Sequence, residues 1–224
     1  METEEFDYKT YVFDALLVGE GELPPKRILT KWVERAPMVV CLDGAANWFE
    51  KRTGRAPDMV VGDGDSINER TRARYADRLL TEPDDQETND LTKATLRLER
   101  QGMTRLAAVG LTGKREDHTL GNVGLMGWHM ERGRRIVAAT RWGVMVPCRG
   151  RVRMRMRKGQ QVSVFAVKVK GLRSKGLRWD IYDFDYLWQG TLNEATEETV
   201  EIEGEGCYIV LIDYGVKRRR PKGK

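Results

Sequence analysis

Nowhere in this chain do about 18 apolar residues follow one another, the length that a membrane-spanning helix requires. The opening residues, Met1-Glu2-Thr3-Glu4-Glu5, lack the basic start and apolar stretch of a signal peptide. Both absences point to a cytoplasmic protein that neither crosses nor needs a membrane. Cysteine is scarce. Cys41, Cys148 and Cys207 are too few and too far apart for a disulfide framework, and none sits in a CxxC or Cys/His spacing suited to zinc. They are expected to be buried apolar thiols. Low-complexity segments and long internal repeats are also missing. What remains is 224 residues, 40% hydrophobic and 33% charged, enough to bury the core of one or two compact domains.

The formal charge of +5 is local. Lys217, Arg218, Arg219, Arg220, Lys222 and Lys224 supply it, so the body before them is close to neutral. A second basic cluster alternates Arg151, Arg153, Arg155 and Arg157 with Val152, Met154 and Met156, the period of a strand with one apolar and one cationic face. Such a face is either solvated or a surface for phosphate-rich partners. It lacks the interleaved aromatic side chains on which bases stack, so a nucleic-acid partner is not expected.

Up to about residue 141 one pattern recurs: a short apolar run, a polar or glycine-rich loop, and a helix-like segment. The runs are Ala15–Val18, Met38–Leu42, Met59–Val61, Leu106–Val109 and Ile136–Ala139. Continuous apolar runs spaced by helices predict an α/β fold with a mainly parallel sheet covered on both faces. Ser66-Ile67-Asn68-Glu69 has capping-box spacing and predicts a helix start at Ser66, while Gly102 is expected to close a helix that begins near Asp90. From Trp142 onward the pattern changes to β-like segments at 142–146, 151–157, 161–169, 177–182, 199–203 and 207–212, with turns at Lys158-Gly159 and Gly204-Glu205-Gly206. The expected organisation is an α/β domain over 1–141, a small all-β domain over 142–216, and a basic tail over 217–224 without an apolar anchor.

In open α/β sheets ligands bind outside the carboxyl ends of the strands. Four loops in that position are rich in polar groups: Asp43–Asn47, Gly62–Ser66, Pro83–Lys93 and Gly110–His118. Asp63 and Asp65, separated by a glycine, can face one Mg²⁺, and Asp90 at a helix start can add a third oxygen; a hard cation that keeps substrate phosphates as ligands suits such a set. Gly110 and Gly113 would permit close backbone approach, and Lys93 and Arg115 would offset charge on a transferring phosphate. Gly121, Gly124 and Gly127 share a helical stripe, which is expected to allow close helix packing.

These residues together resemble the thiamine pyrophosphokinase family. The matching segments are Cys41–Asn47, Gly62–Ser66, Asp85–Lys93, Gly110–Asn122, Gly176-Leu177-Arg178-Trp179 and Asn193-Glu194, in family order over roughly residues 41 to 200. The resemblance implies a Rossmann-like N-terminal domain, a C-terminal β-sandwich, and a homodimer with active sites at the subunit interface. It implies thiamine and ATP as substrates and Mg²⁺ as cofactor, with thiamine diphosphate and AMP as products. Carried over position by position, Asp63, Asp65 and Asp90 correspond to metal ligands and, with Asp43, to the catalytic set. Gln86, Asn89, Lys93, Gly113, Arg115, Asp117, His118 and Asn122 correspond to ATP contacts, and Asp43, Asn47, Trp179 and Asn193 to thiamine contacts. The family pattern has Asp at Glu87, Thr at Asn89, Gly at Ala45, Arg at Trp48 and Ser at Leu192. Asp43 or Asp65 is expected to help remove the proton of the attacking hydroxyl. The alternatives are another Mg²⁺-dependent nucleotide transferase, and a nucleic-acid-binding protein using the basic strand and tail.

Overall fold

The computed structural model describes residues 3–81 and 88–215. The expected contact Gln86, the divergent Glu87 and the basic tail lie outside them. In chain order the strands are β1 (Thr3–Phe6), β2 (Ala15–Val18), β3 (Val39–Leu42), β4 (Met59–Gly62), β5 (Leu79–Thr81), β6 (Arg105–Val109), β7 (Arg135–Ala139), β8 (Gly143–Arg155), β9 (Gln161–Lys175), β10 (Asn193–Glu194) and β11 (Thr199–Asp213). The helices are α1 (Lys26–Arg35), α2 (Phe49–Thr53), α3 (Glu69–Arg74), α4 (Asp90–Glu99) and α5 (Glu116–Glu131), with a 3₁₀ turn at Asp43–Asn47. The fold is mixed α/β, and its contacts divide it into a unit of Tyr11–Arg141 with Met145–Pro147, and a unit of the remaining residues.

In the first unit the strands run in the order β7-β6-β2-β3-β4-β5, and every pairing is parallel. β2 and β3 are buried along their whole length, which is why they read as unbroken apolar runs. Each such side chain removed from water contributes about 1.5–3 kcal/mol. The chain winds outward from β2 through β3, β4 and β5, then returns to lay β6 on the other side of β2. The strand order therefore reverses between β2 and β6, the place where a crevice forms at the carboxyl ends.

Helix α4 follows its expected boundaries. Asn89 caps it, its Oδ1 accepting from the Thr92 N–H at 3.0 Å, and Gly102, at φ +79°, donates to the Glu99 carbonyl at 2.8 Å. α3 corrects the sequence reading, since it begins at Glu69 and its cap is Asn68, which accepts from the Thr71 N–H at 2.9 Å. The Ser66 hydroxyl donates instead to Asp65 Oδ1 at 2.8 Å and its N–H to Asp43 Oδ2 at 3.0 Å, tying Ser66 to the acidic loop ahead of the helix.

The second unit is built on β10-β9-β11-β8, with β1 parallel to β8. That pairing places residues 3–10 with this unit, although the sequence groups them with the α/β domain. One expected turn and one expected break are absent. Residues 143–155 form one long strand, β8, where two segments were expected, and Gly204-Glu205-Gly206 lies inside β11 at register shifts against β9, whereas the expected turn at Lys158-Gly159 is present. Gly206, at φ +119°, brings its backbone so close to the Lys168 carbonyl that a Cβ would overlap it. Residues 177–182 form no strand, only the bridge Leu177–Ala195, because the Asn193 side chain takes both backbone groups of Trp179: Trp179 N–H donates to Asn193 Oδ1 (3.2 Å) and Asn193 Nδ2 to the Trp179 carbonyl (2.7 Å). All three cysteines are buried and none forms a disulfide, and burial pushes the Cys41 thiol up.

Candidate active site

Asp43 organises the acidic rim. It follows β3 directly, is buried, and holds φ at +42°, a left-handed conformation that is uncommon without a glycine. From there its carboxylate accepts two backbone N–H groups of the next loop, Gly64 at 3.0 Å and Ser66 at 3.0 Å. Gly62 has to be small, because a Cβ there would overlap Asp43 Cβ. The loop is closed further by Asp65 N–H donating to Asp63 Oδ1 at 3.1 Å.

As a result, carboxylate oxygens of Asp43, Asp63 and Asp65 lie within 4.8 Å of one another. Asp90, at the first position of α4, is outside that group but close enough to feel it. Burial, and then repulsion from Asp43 and Asp63, raises its carboxyl to about 6, against the opposing pull of Lys93 one turn on. Burial also raises Asp43, while Asp65 is held below the ordinary carboxylate range by the Ser66 hydroxyl. Such a concentration of oxygen donors fits a hard divalent cation.

The expected nucleotide residues gather around the starts of α4 and α5. Asn89 Nδ2 donates to Asn122 Oδ1 at 3.4 Å, and Asn122 Nδ2 to the Leu111 carbonyl at 2.8 Å, linking both helices to the loop after β6. Lys93 is buried. Arg115 and Asp117 are exposed and paired to each other, which holds Asp117 down at about 2; the His118 N–H also donates to Asp117, at 2.8 Å. Asn47 has a scaffolding part: its Nδ2 donates to the Ser66 carbonyl at 2.8 Å, while its Oδ1 accepts from Asn68 N–H and Nδ2.

The glycines differ from expectation. Gly110, at φ +71°, faces the Gly19 carbonyl, which a Cβ would overlap, and Gly113 faces the side chain of Glu22. Neither is therefore small for the sake of a ligand alone. At Gly121 and Gly124 a Cβ would meet nothing among the described residues, so these two do not serve helix packing there.

The sequence reading passed over the loops after β2 and β7. Gly19 N–H donates to the Val109 carbonyl, Gly21 N–H to that of Gly110 and Glu22 N–H to that of Thr112, at 2.8, 2.7 and 2.7 Å. These bonds stitch the β2 and β6 loops together beyond the sheet. Glu20 projects over Gly44, beside Asp43, and Glu22 accepts from Arg141 after β7 at 3.2 Å. The signal was available: Gly19-Glu20-Gly21-Glu22 directly follows an apolar run.

In the other unit, Asn193 is buried and fixes the backbone of Trp179, whose ring is about half exposed with the Arg178 guanidinium 5.1 Å from its centroid. Leu192 is exposed and takes φ +61°, a strained value for its side chain. The arginine strand is largely neutralised: Arg151 pairs with Glu203 at 2.7 Å, and Arg153 with Glu5 and Glu201 at 2.9 and 3.0 Å.

Two family models match the chain: thiamin pyrophosphokinase, catalytic domain, over residues 29–138, and thiamin pyrophosphokinase, substrate-binding domain, over 143–211. A curated relative, thiamine pyrophosphokinase 3 of Oryza sativa subsp. japonica, is 29% identical over 146 residues, 55% of this chain and 53% of its own length. The chain thus spans about half the length of the curated relative it matches. Among solved structures, yeast thiamin pyrophosphokinase is similar with a TM-score of 0.76 and 14% identity, covering 94% of this chain and 90% of that one. The Candida albicans enzyme gives 0.74 at 17% identity over 94% and 93%, and that of Bacillus subtilis 0.72 at 16% over 91% and 100%. At these identities the structural likeness speaks for the fold.

Proposed function

We propose a pyrophosphoryl transfer for this chain, which belongs to the thiamin pyrophosphokinase family. The primary hydroxyl of thiamine attacks the β-phosphorus of ATP, the bond from that phosphorus to the α,β-bridging oxygen breaks, and AMP leaves as thiamine diphosphate forms. The observation that carries this reading is the convergence of Asp43, Asp63 and Asp65 at adjacent strand ends with Asp90 beside them. Little covalent work falls to the protein in such a transfer; alignment and charge neutralisation do most of it.

The residues suit Mg²⁺, with Asp63, Asp65 and Asp90 as its ligands. When bound, it would neutralise charge on the polyphosphate. Lys93 and Arg115 supply positive charge from the protein, and Asn89 and Asn122 hold the two helix starts at the spacing the nucleotide meets. Asp43 has both oxygens engaged by backbone N–H groups. That leaves Asp43 to fix the loop, and the hydroxyl proton passes to a carboxylate of the cluster.

Trp179 and Asn193 form the thiamine side: an aromatic face suits a cationic thiazolium and a flat pyrimidine, and Asn193 sets the ring's backbone. The finer architecture we assign is a Rossmann-like domain built on Tyr11–Arg141 and a β-sandwich built on β1 and the strands that follow residue 142, acting as a homodimer in the cytoplasm. Among the described residues no helix is long and apolar enough to cross a membrane. The pairing of Arg151 and Arg153 with carboxylates argues against a nucleic-acid partner.

The test is one reaction of protein, Mg²⁺, ATP and thiamine, resolved by chromatography. Equimolar AMP and thiamine diphosphate, dependent on metal and thiamine, are expected. ADP or pyrophosphate in place of AMP would assign the chain to another class of nucleotide transferase.

A further inference from the structure

We propose that Arg141 is a phosphate-binding cation of the nucleotide site, and that the Glu22 carboxylate competes with the nucleotide for it. The inference rests on the reading of the β2–β6 rim as an ATP site. β2, β6 and β7 are neighbours, so the residues that follow them share one edge of the rim. Glu22 follows β2, Gly113 follows β6, and Arg141 follows β7.

Geometry joins the three. The Glu22 backbone is fixed by its N–H bond to the Thr112 carbonyl, and its side chain lies over Gly113, with Oε2 3.0 Å from where a Cβ of that residue would stand. The other carboxylate oxygen, Oε1, accepts from Arg141 at 3.2 Å. A guanidinium is therefore held beside the Gly113-Lys114-Arg115 turn, and an anion already sits in front of it.

Exchange of that anion is cheap. Both partners are substantially exposed, with side-chain accessibilities of 58% for Arg141 and 40% for Glu22, and such pairs contribute little. A phosphate offers Arg141 two parallel charge-assisted bonds, which outweigh the contact with Glu22. Glu22 would also repel a polyphosphate laid on the turn, so nucleotide binding both displaces the carboxylate and takes over its guanidinium. The competition sets nucleotide affinity without taking part in the transfer.

The experiment uses the full chain and Mg²⁺ with α,β-methylene-ATP, which resists cleavage at the bond this transfer breaks. Calorimetric affinity is measured alongside KM for ATP and kcat for AMP release, with thermal melts to verify folding. Arg141→Ala is expected to weaken analogue binding about ten-fold and raise KM for ATP to match, with kcat changed less than about two-fold. Arg141→Lys should recover part of the loss. Glu22→Gln should tighten binding about three-fold, and this gain should vanish in the Arg141→Ala background. Unchanged binding in Arg141→Ala, weaker binding in Glu22→Gln, or an equal Glu22 effect in both backgrounds would overturn the proposal. A wild-type protein that binds the analogue yet transfers nothing to thiamine would refute the functional reading alone, and the binding data would still decide the role of Arg141.

Discussion

Replacing Asp90 by Asn should abolish most turnover and yet make the metal-free protein more stable at neutral pH. The Asp90 carboxyl moves from an ordinary 3.8 to about 6, chiefly through burial and then through repulsion by Asp43 and Asp63. Fully ionised near pH 7, a shift of that size would cost at most about 3 kcal/mol. Asp90 is partly exposed, and solvent screening reduces the figure to about 1.5 kcal/mol. Against it stands the favourable place of a carboxylate in the first turn of α4, about 0.5 kcal/mol. The net gain for Asp90→Asn is about 1 kcal/mol, or roughly 2–4 °C in Tm for a chain of this length. The sign with pH follows from the raised value: the stability this group allows is present in full below its unfolded pKa and is lost as pH rises through about 6. In EDTA, melts of wild type and variant should therefore nearly coincide at pH 4 and separate at pH 7.5, with the variant higher. Mg²⁺ should then stabilise the wild type more than the variant. A difference that does not change with pH, or a variant less stable at pH 7.5, would refute the reasoning.

His129 should act with the opposite sign in an overlapping window. It is buried on α5, accepts from Arg134 Nε at 3.0 Å, and is pushed down to about 4 by burial and by Arg134 and Arg132. Its contribution is present above its unfolded value near 6.5 and is lost as pH falls toward about 4; His129→Asn, which keeps an acceptor for Arg134, should flatten the denaturant midpoint across pH 4–6.5 relative to wild type. Gly110→Ala should cost about 2 kcal/mol or more in chemical denaturation, since it adds strain at φ +71° to an overlap with the Gly19 carbonyl. Trp179→Ala should raise KM for thiamine about ten-fold while leaving KM for ATP near its wild-type value, and equal changes in both would remove Trp179 from the thiamine side.

Much of the first unit was legible because its strands are buried on both faces. Ala15–Val18 and Leu106–Val109 read as unbroken apolar runs for that reason, and the residues after such runs mark the rim. The acidic cluster was visible as residue types in order, but not the conformation that assembles it, since Asp43 adopts a positive φ where a glycine would be the usual choice. Ser66 shows why the α3 start was misplaced: the capping pattern was real, but a partner 23 residues away in sequence took the Ser66 N–H. Gly204 and Gly206 read as a turn because glycine marks both turns and bulges, and only the neighbouring Lys168 carbonyl distinguishes them. Glu22 and Arg141 escaped notice because their pairing spans more than a hundred residues of sequence and belongs to no local motif.

The stitched loops after β2 and β6 give the crevice a floor. A reversal of strand order leaves two chains diverging, and a ligand could in principle wedge down between them. Here Gly19 and Gly110 meet backbone to backbone, and the bonds from Gly21 and Glu22 continue the closure outward. Under the proposed function, a nucleotide would lie across the rim like a beam on a sill, its depth set by the main chain. A side chain at Gly19 or Gly110 would meet the main chain of the other loop, so the two segments, about ninety residues apart, are sterically tied to each other.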